Sequence, residues 1–499
     1  MSFYYVAKGL STLRTLANSY FLSKLICIVS ISCSSAYAAE VQQPSSVNGS
    51  CDLNAQAAPL YQAEQRIQYR QLSNGLQVRT LAVDGSSSVS IASQFDVGSR
   101  DEVKGQTGYA HLFEHMLFKG SKNAPGDSYT QTMSELSGQF NASTFFDFTN
   151  YYLTIPAPAL ELSLWLEADR FRYPALTATT VKNQQAAVLE EMATSIDNQP
   201  YVRKAMEFLL SQVEGTPYGH AVIGSVADVK AATPASLNAF HQRFYRPDAM
   251  QLSLVGNIPK QTDTWIDNSF ASWEQPSDKR QPLADLNINA KAVHGEIIDD
   301  RGPWPAVLLA WHTAGASSED APALALLEAY LFQNKSSLIE RTSLKDPDQL
   351  LTYSIPLQMQ HHGVTNLVLV PRARTSLDTL TDNVEQLIAS VTTKPIAAQQ
   401  LCQLKQIWLD KRLARLDNPS LMARALSATQ LRDSAAPLTG EWRRINTVTA
   451  ADLQRVSERY FSHKRVRLDL LPPWHIRAAK TVLEWLPKGA ADSLEESVM

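Results

Sequence analysis

Residues 111–118 read His-Leu-Phe-Glu-His-Met-Leu-Phe, and residues 325–332 read Ala-Leu-Leu-Glu-Ala-Tyr-Leu-Phe. The two stretches align without a gap at an offset of 214 positions. Leu112, Glu114, Leu117 and Phe118 recur as Leu326, Glu328, Leu331 and Phe332, whereas both histidines become alanine. Similar segments lead into each stretch. Val89–Val97 has the period-two alternation of a strand and runs through Gly98 into the first helical stretch; Pro305–Thr313 runs through Gly315 into the second. A further pair of anchors, Thr233, Leu237 and Arg243-Phe-Tyr245, recurs at an offset of 216 as Thr449, Leu453 and Arg459-Tyr-Phe461. Two anchors at nearly one offset indicate a duplicated unit.

The duplication predicts an α+β chain of two similar tandem domains, 60–275 and 293–475, joined by a Pro/Gln/Asp-rich linker at 276–292. Each half mixes strand-like alternation with long amphipathic stretches (Leu160–Arg172, Thr180–Ile196, Ala397–Leu416) instead of a regular strand–helix alternation, which favours α+β over a doubly wound sheet. Only the first copy retains its histidines. The first domain is therefore expected to carry the chemistry and the second to act as scaffold.

Composition bounds the function class. The chain has 499 residues, 44% hydrophobic and 19% charged, with a net charge of −4. A nucleic-acid binder usually shows a basic balance, so nucleic acid is not an expected partner. The N-terminus reads as an export signal over residues 1–38: Lys8, Arg14 and Lys24, the apolar run Leu25–Ile31, and Ala36-Tyr37-Ala38 ahead of a mature start near Ala39. That run is too short to span a bilayer, and no later stretch approaches membrane-span length, so a periplasmic protein without a stable membrane span is expected. An uncleaved interfacial anchor and a lipoprotein signal at Cys33 are the weaker readings, the second because Ser30-Ile31-Ser32 lacks the residues such a signal carries. Cys51 and Cys402 remain in the mature chain, and the sequence leaves open whether they form one long-range disulfide or stay as two thiols.

The motif His111-Leu-Phe-Glu114-His115 carries the chemistry. Residues i and i+4 of a helix stack on one face, so both imidazoles can reach one metal with Glu114 beside them. Imidazole suits zinc, and a carboxylate that does not ligate can take a proton from an activated water. Two solvated histidines on a surface helix are the bland alternative, and the flanking Leu112, Phe113, Met116, Leu117 and Phe118 leave such a helix little solvated face. Catalytic zinc usually takes three protein ligands. The stretch Thr180–Met192 offers the adjacent Glu190 and Glu191, which point about 100° apart on a helix so that only one can face the metal. Glu191 shares a face with Gln184, Ala187 and Val188, expected to be the buried side.

These residues resemble the M16 family of zinc peptidases, the insulinase, pitrilysin and mitochondrial-processing-peptidase group. The likeness covers nearly all of the mature chain and rests on 111–115, on Phe140-Asn-Ala-Ser-Thr144 with Tyr151-Tyr152, and on Val188–Glu191. Tyr218-Gly-His-Ala-Val-Ile-Gly224 and Tyr245-Arg-Pro247 with Leu254-Val-Gly256 also carry it. The resemblance implies tandem domains of the LuxS/MPP-like metallohydrolase type and one zinc ion per chain. Its third ligand lies about 75–77 positions after the second histidine, which here selects Glu191, 76 positions after His115, beside His111 and His115, with Glu114 as general base. It further implies that Asn141 and Ala142 lie on an edge strand that pairs with the backbone of extended peptide substrates.

Two positions depart from the family pattern. Many relatives carry a glutamate seven residues before the third ligand, where this chain has Gln184, an amide that can hydrogen-bond close to the ligands but cannot take a proton. Active relatives also draw an Arg and a Tyr, seven apart, from a second-type domain. Arg301 matches the first, but position 308 is Leu. The family's four-domain chamber implies a dimer of this two-domain chain, either a homodimer or a heterodimer whose partner supplies the Arg/Tyr pair. The expected activity is zinc-dependent endopeptidase action on peptides or small unfolded polypeptides. The alternatives are a non-catalytic peptide-binding subunit of a heterodimer and a maturation protease for one precursor. His312 and His361-His362 have no supporting constellation in the sequence.

Overall fold

The computed structural model describes residues 51–274, 286, 291–333, 336–343, 349–428, 436–462 and 465–485. The signal expected at 1–38 and nearly all of the linker expected at 276–292 lie outside the described residues. The first sheet comprises β1 (Gln68–Gln71), β2 (Gln77–Ala82), β3 (Ser88–Phe95), β4 (Gln139–Thr144), β5 (Thr149–Pro156) and β6 (Met250–Gly256), in the order β1-β2-β6-β3-β5-β4. The second comprises β7 (Val293–Ile298), β8 (Ala306–Ala314), β9 (Gln349–Gln358), β10 (His362–Pro371) and β11 (Val466–Leu471), in the order β7-β11-β8-β10-β9. With β1 set aside, the two orders are the same. Each sheet has one parallel pair, β2 with β6 and β7 with β11, in otherwise antiparallel pairing. The duplication is thus a duplication of topology.

Its sequence anchors have local physical roles. Thr233 and Thr449 are both N-caps, their hydroxyls accepting from Ser236 N and Asp452 N, and they start the helices Pro234–Phe244 and Ala450–Phe461. The motif stretches fall in Tyr109–Met116 and Ala321–Leu331, each covering one face of its sheet. Phe118 and Phe332 lie past those helix ends. The expected helix Leu160–Arg172 forms as read, while Thr180–Ile196 becomes Ala178–Met192 followed by a π-helical turn, Ala193–Asp197.

The halves are joined by more than the linker. The helix Asn54–Arg66 buries Ala57 and Leu60 in the core of the second half, so residue 60, the expected start of the first domain, lies within a helix packed on the other one. Glu64 accepts from Leu438 N and Thr439 N, and Cys51 is disulfide-bonded to Cys402 across 351 positions, with Cα atoms 5.6 Å apart. Two helices also cross over. Val202–Ser211 of the first half packs on Leu308, Val368 and Leu468 of the second sheet. Pro419–Leu426 of the second half lays Met422, Ala423 and Leu426 on Leu81, Ala92 and Val255 of the first.

Candidate metal centre

The motif helix Tyr109–Met116 starts on Gly108, held at φ +88°, where a Cβ would meet Ile223 O at 2.5 Å. Its first amides are capped by a buried carboxylate. Glu102 accepts from Gly108 N and from Ala110 N, both at 2.8 Å, and His220 Nε2 lies 2.9 Å from the same group. The stretch Tyr218–Gly224 therefore backs onto the start of the motif helix and fixes its direction. Sequence reading gave Glu102 no role; an acidic residue just ahead of a helix start is the signal that marks it.

One turn in, His111 is fully buried, and neither of its ring nitrogens has a hydrogen-bond partner among the described residues. A buried imidazole without a partner is costly, so another ligand for it is expected. Its Nε2 lies 3.8 Å from Glu191 Oε2, and His115 Nε2 lies 3.5 Å from that same oxygen. One donor atom from each of His111, His115 and Glu191 lies within 4.8 Å of the others. Zinc–nitrogen and zinc–oxygen bonds of about 2.0–2.2 Å set tetrahedral donors about 3.4 Å apart, so two imidazoles and a carboxylate in this arrangement fit zinc. Glu190, the other sequence candidate, is exposed and stands outside the cluster. On the helix that carries Glu191, Gln184 and Val188 are buried as expected, but Ala187 is exposed.

The electrostatics separate the four groups. Burial, reinforced by the neighbouring His115, lowers His111 to about 4, which keeps its imidazole neutral. Burial also opposes charge on His115, but the hydrogen bond it donates to Glu191, the charges of Glu114 and Glu191 and a hydrogen bond to Gln184 outweigh it and raise that imidazole. Against its own burial, Glu191 is lowered by His115 and His111 and stays a carboxylate. Burial pushes Glu114 up to about 7, partly offset by a hydrogen bond from Thr144 Oγ1 to its Oε2. Three donors suited to a cation thus stand beside a carboxyl group poised near neutrality.

Asn141 and Ala142 lie on β4, the outermost strand, which pairs with β5 alone among the described strands. Ala142 is buried, and Asn141 is exposed with its Oδ1 accepting from Ala142 N at 2.8 Å. Arg301 donates to Asp197 O at 2.6 Å, and Leu308 is buried in β8 under the crossing helix Val202–Ser211. His312 Nδ1 and His362 Nε2 lie 3.0 Å apart and satisfy each other.

Residues 79–224 match the family model for insulinase, peptidase family M16, and residues 231–355 match that for the M16 peptidase inactive domain. The chain belongs to the M16 peptidase family. The second of these matches runs across the expected linker, from the last elements of the first half into the strands of the second. This M16 chain is 25% identical over 417 residues to the zinc protease PqqE of Helicobacter pylori, covering 81% of its own length and 92% of that protein. It is 35% identical over 187 residues to an uncharacterized zinc protease of Mycobacterium tuberculosis, 38% of this chain and 42% of that one. Among solved structures, a protease from Helicobacter pylori superposes with a TM-score of 0.76 at 23% identity, covering 81% of this chain and 99% of that one. The periplasmic protease PqqL from Escherichia coli superposes with a TM-score of 0.68 at 16% identity, and the match covers 87% of this chain and 50% of that longer one. The M16 fold is therefore two tandem α+β domains here, and among the described residues no helix is long and apolar enough to cross a membrane.

Proposed function

We propose that this chain is a zinc endopeptidase that hydrolyses peptides or small unfolded polypeptides in the periplasm. His111, His115 and Glu191 hold one zinc ion per chain, and Glu114 is the general base. The observation that carries the reading is the convergence of His111 Nε2 and His115 Nε2 on Glu191 Oε2 beside the near-neutral Glu114. Zinc supplies, when bound, a Lewis acid that polarises a carbonyl and acidifies a water. Glu114 takes the proton from the attacking water and delivers it to the leaving amine nitrogen, for which a carboxyl group titrating near neutral pH is suited in both directions. The free edge of β4 at Asn141 and Ala142 pairs with the substrate backbone, a sequence-tolerant mode that selects extended chains. Gln184 orients His115 as a neutral amide.

On this reading the domain at 60–275 is catalytic and the one at 293–475 is not, because Ala325 and Ala329 stand where the histidines would be. Arg301 is tied to Asp197 O and position 308 is a buried Leu, which favours a dimer whose partner M16 subunit brings the Arg/Tyr pair. Export is supported by the signal-like residues 1–38, by the Cys51–Cys402 disulfide and by the likeness to a periplasmic protease.

The test uses purified protein from Ala39 onward with a mixed library of unstructured peptides. Cleavage is expected to stop with a chelator and to return with zinc; Glu114→Gln is expected to keep zinc and lose turnover, and His111→Ala to lose both. Near-normal turnover by Glu114→Gln overturns the mechanism.

A further inference from the structure

The geometry points to Thr144 as a positioning residue that sets the general base in register with the substrate strand. This rests on the proposed peptidase reading and extends it to a residue outside the ligand set. Thr144 is the last residue of β4 and is only 1% exposed. Side chains of β4 alternate between faces, so Ala142 and Thr144 point toward the motif helix while Asn141 and Ser143 point away. From that position Thr144 Oγ1 donates to Glu114 Oε2. Glu114 Oε1 carries no hydrogen bond among the described residues, which leaves one oxygen fixed and the other available to take a proton.

Thr144 is itself held from behind. The turn after β4 is pinned through Asp147, whose carboxylate accepts from Arg100 Nη1 at 2.7 Å, from Tyr218 OH at 2.7 Å and from Gln360 N of the second half at 2.8 Å. Phe145 O and Phe146 O accept in addition from Ser99 N and Arg100 N, at 3.1 and 2.9 Å. The last residue of the edge strand is therefore a fixed point, and a hydroxyl projecting from it carries that fixity to the base. A peptide that pairs with β4 is located by the same strand. Base and scissile carbonyl thus share one reference, and the proton-transfer geometry follows from it. A hydroxyl that only satisfied a buried carboxylate would affect stability and leave the chemical step alone.

The test compares Thr144→Val, which keeps the shape and removes the donor, with Thr144→Ser, which keeps the donor and removes the methyl group. Zinc content, thermal unfolding, kcat and KM are measured on one peptide cleaved by the wild type. Thr144→Val is expected to fold and bind zinc, at a modest cost in stability from the lost hydrogen bond, with kcat down about 10- to 100-fold and KM within about twofold. Thr144→Ser is expected to recover kcat to within a few-fold. Wild-type kcat in Thr144→Val, equal impairment of both variants, or a loss confined to KM or to zinc content each overturns the assignment and leaves the peptidase reading standing. Absence of any chelator-sensitive cleavage by the wild type overturns both.

Discussion

Replacing Glu328 by glutamine should make the protein more stable in mild alkali and change it little in acid. Glu328 is the counterpart of Glu114 in the second half and is 9% exposed; it accepts from Thr365 Oγ1 and lies 3.3 Å from Gln333 Nε2. No imidazole pair accompanies it, since Ala325 and Ala329 replace the histidines. Burial raises its carboxyl group from 4.5 to about 7. A carboxyl group with a raised folded pKa binds more protons in the native state than in the unfolded state, so stability falls as pH rises from 4.5 through 7. The full shift corresponds to about 3 kcal/mol of lost stability near pH 8, and below about 1 kcal/mol near pH 5. Glutamine keeps the shape and an amide for the same neighbours but never ionises, so Glu328→Gln recovers that loss only where the carboxyl group would be charged. Urea unfolding of both proteins at about pH 5 and about pH 8 reads the difference, and comparison at matched pH cancels any common effect of zinc. An equal change at both pH values, or destabilisation at the higher one, refutes the reasoning.

Gln184→Ala removes the side chain that hydrogen-bonds His115 and should weaken zinc binding about 10- to 100-fold, read by competition with a chromophoric chelator; unchanged affinity would show that the amide does not orient the ligand. Cys402→Ser should lower stability by about 2–4 kcal/mol, and Cys51→Ser by the same amount, because each removes the one bond that closes the loop between these residues. Unequal effects, or intact mass showing two free thiols in the wild type, would contradict this.

The duplication was legible because it rests on local signals that survive divergence, a capping threonine followed by a helix and a strand running through glycine into a helix. The motif helix was legible for a related reason, since helical spacing alone brings His111 and His115 to one face. Glu191 was separable from Glu190 by helix phase and by the family spacing. What stayed hidden depends on contacts between distant residues. The cap from Glu102 to Gly108 and Ala110 is a loop contact made only when Tyr218–Gly224 folds behind it. Thr144 belongs to the Phe140–Thr144 stretch that carries the family resemblance, but its role follows from β4 lying at the sheet edge against the motif helix, which period-two alternation does not encode. The helix Asn54–Arg66 has no strong apolar stripe, and its packing on the second half, closed by Cys51–Cys402, is a long-range contact that local sequence does not encode.

The exchange of helices between the halves bears on whether either half can stand alone. Val202–Ser211 and Pro419–Leu426 start 217 positions apart, close to the repeat offset, so they occupy equivalent places in the two halves, and each covers the sheet of the other half. A helix given to a neighbour and an equivalent helix received in return has the geometry of an element swap, here made between two halves of one chain. Removing either traded helix would uncover the outer face of the other half's sheet, so each half depends on the other to complete its own core.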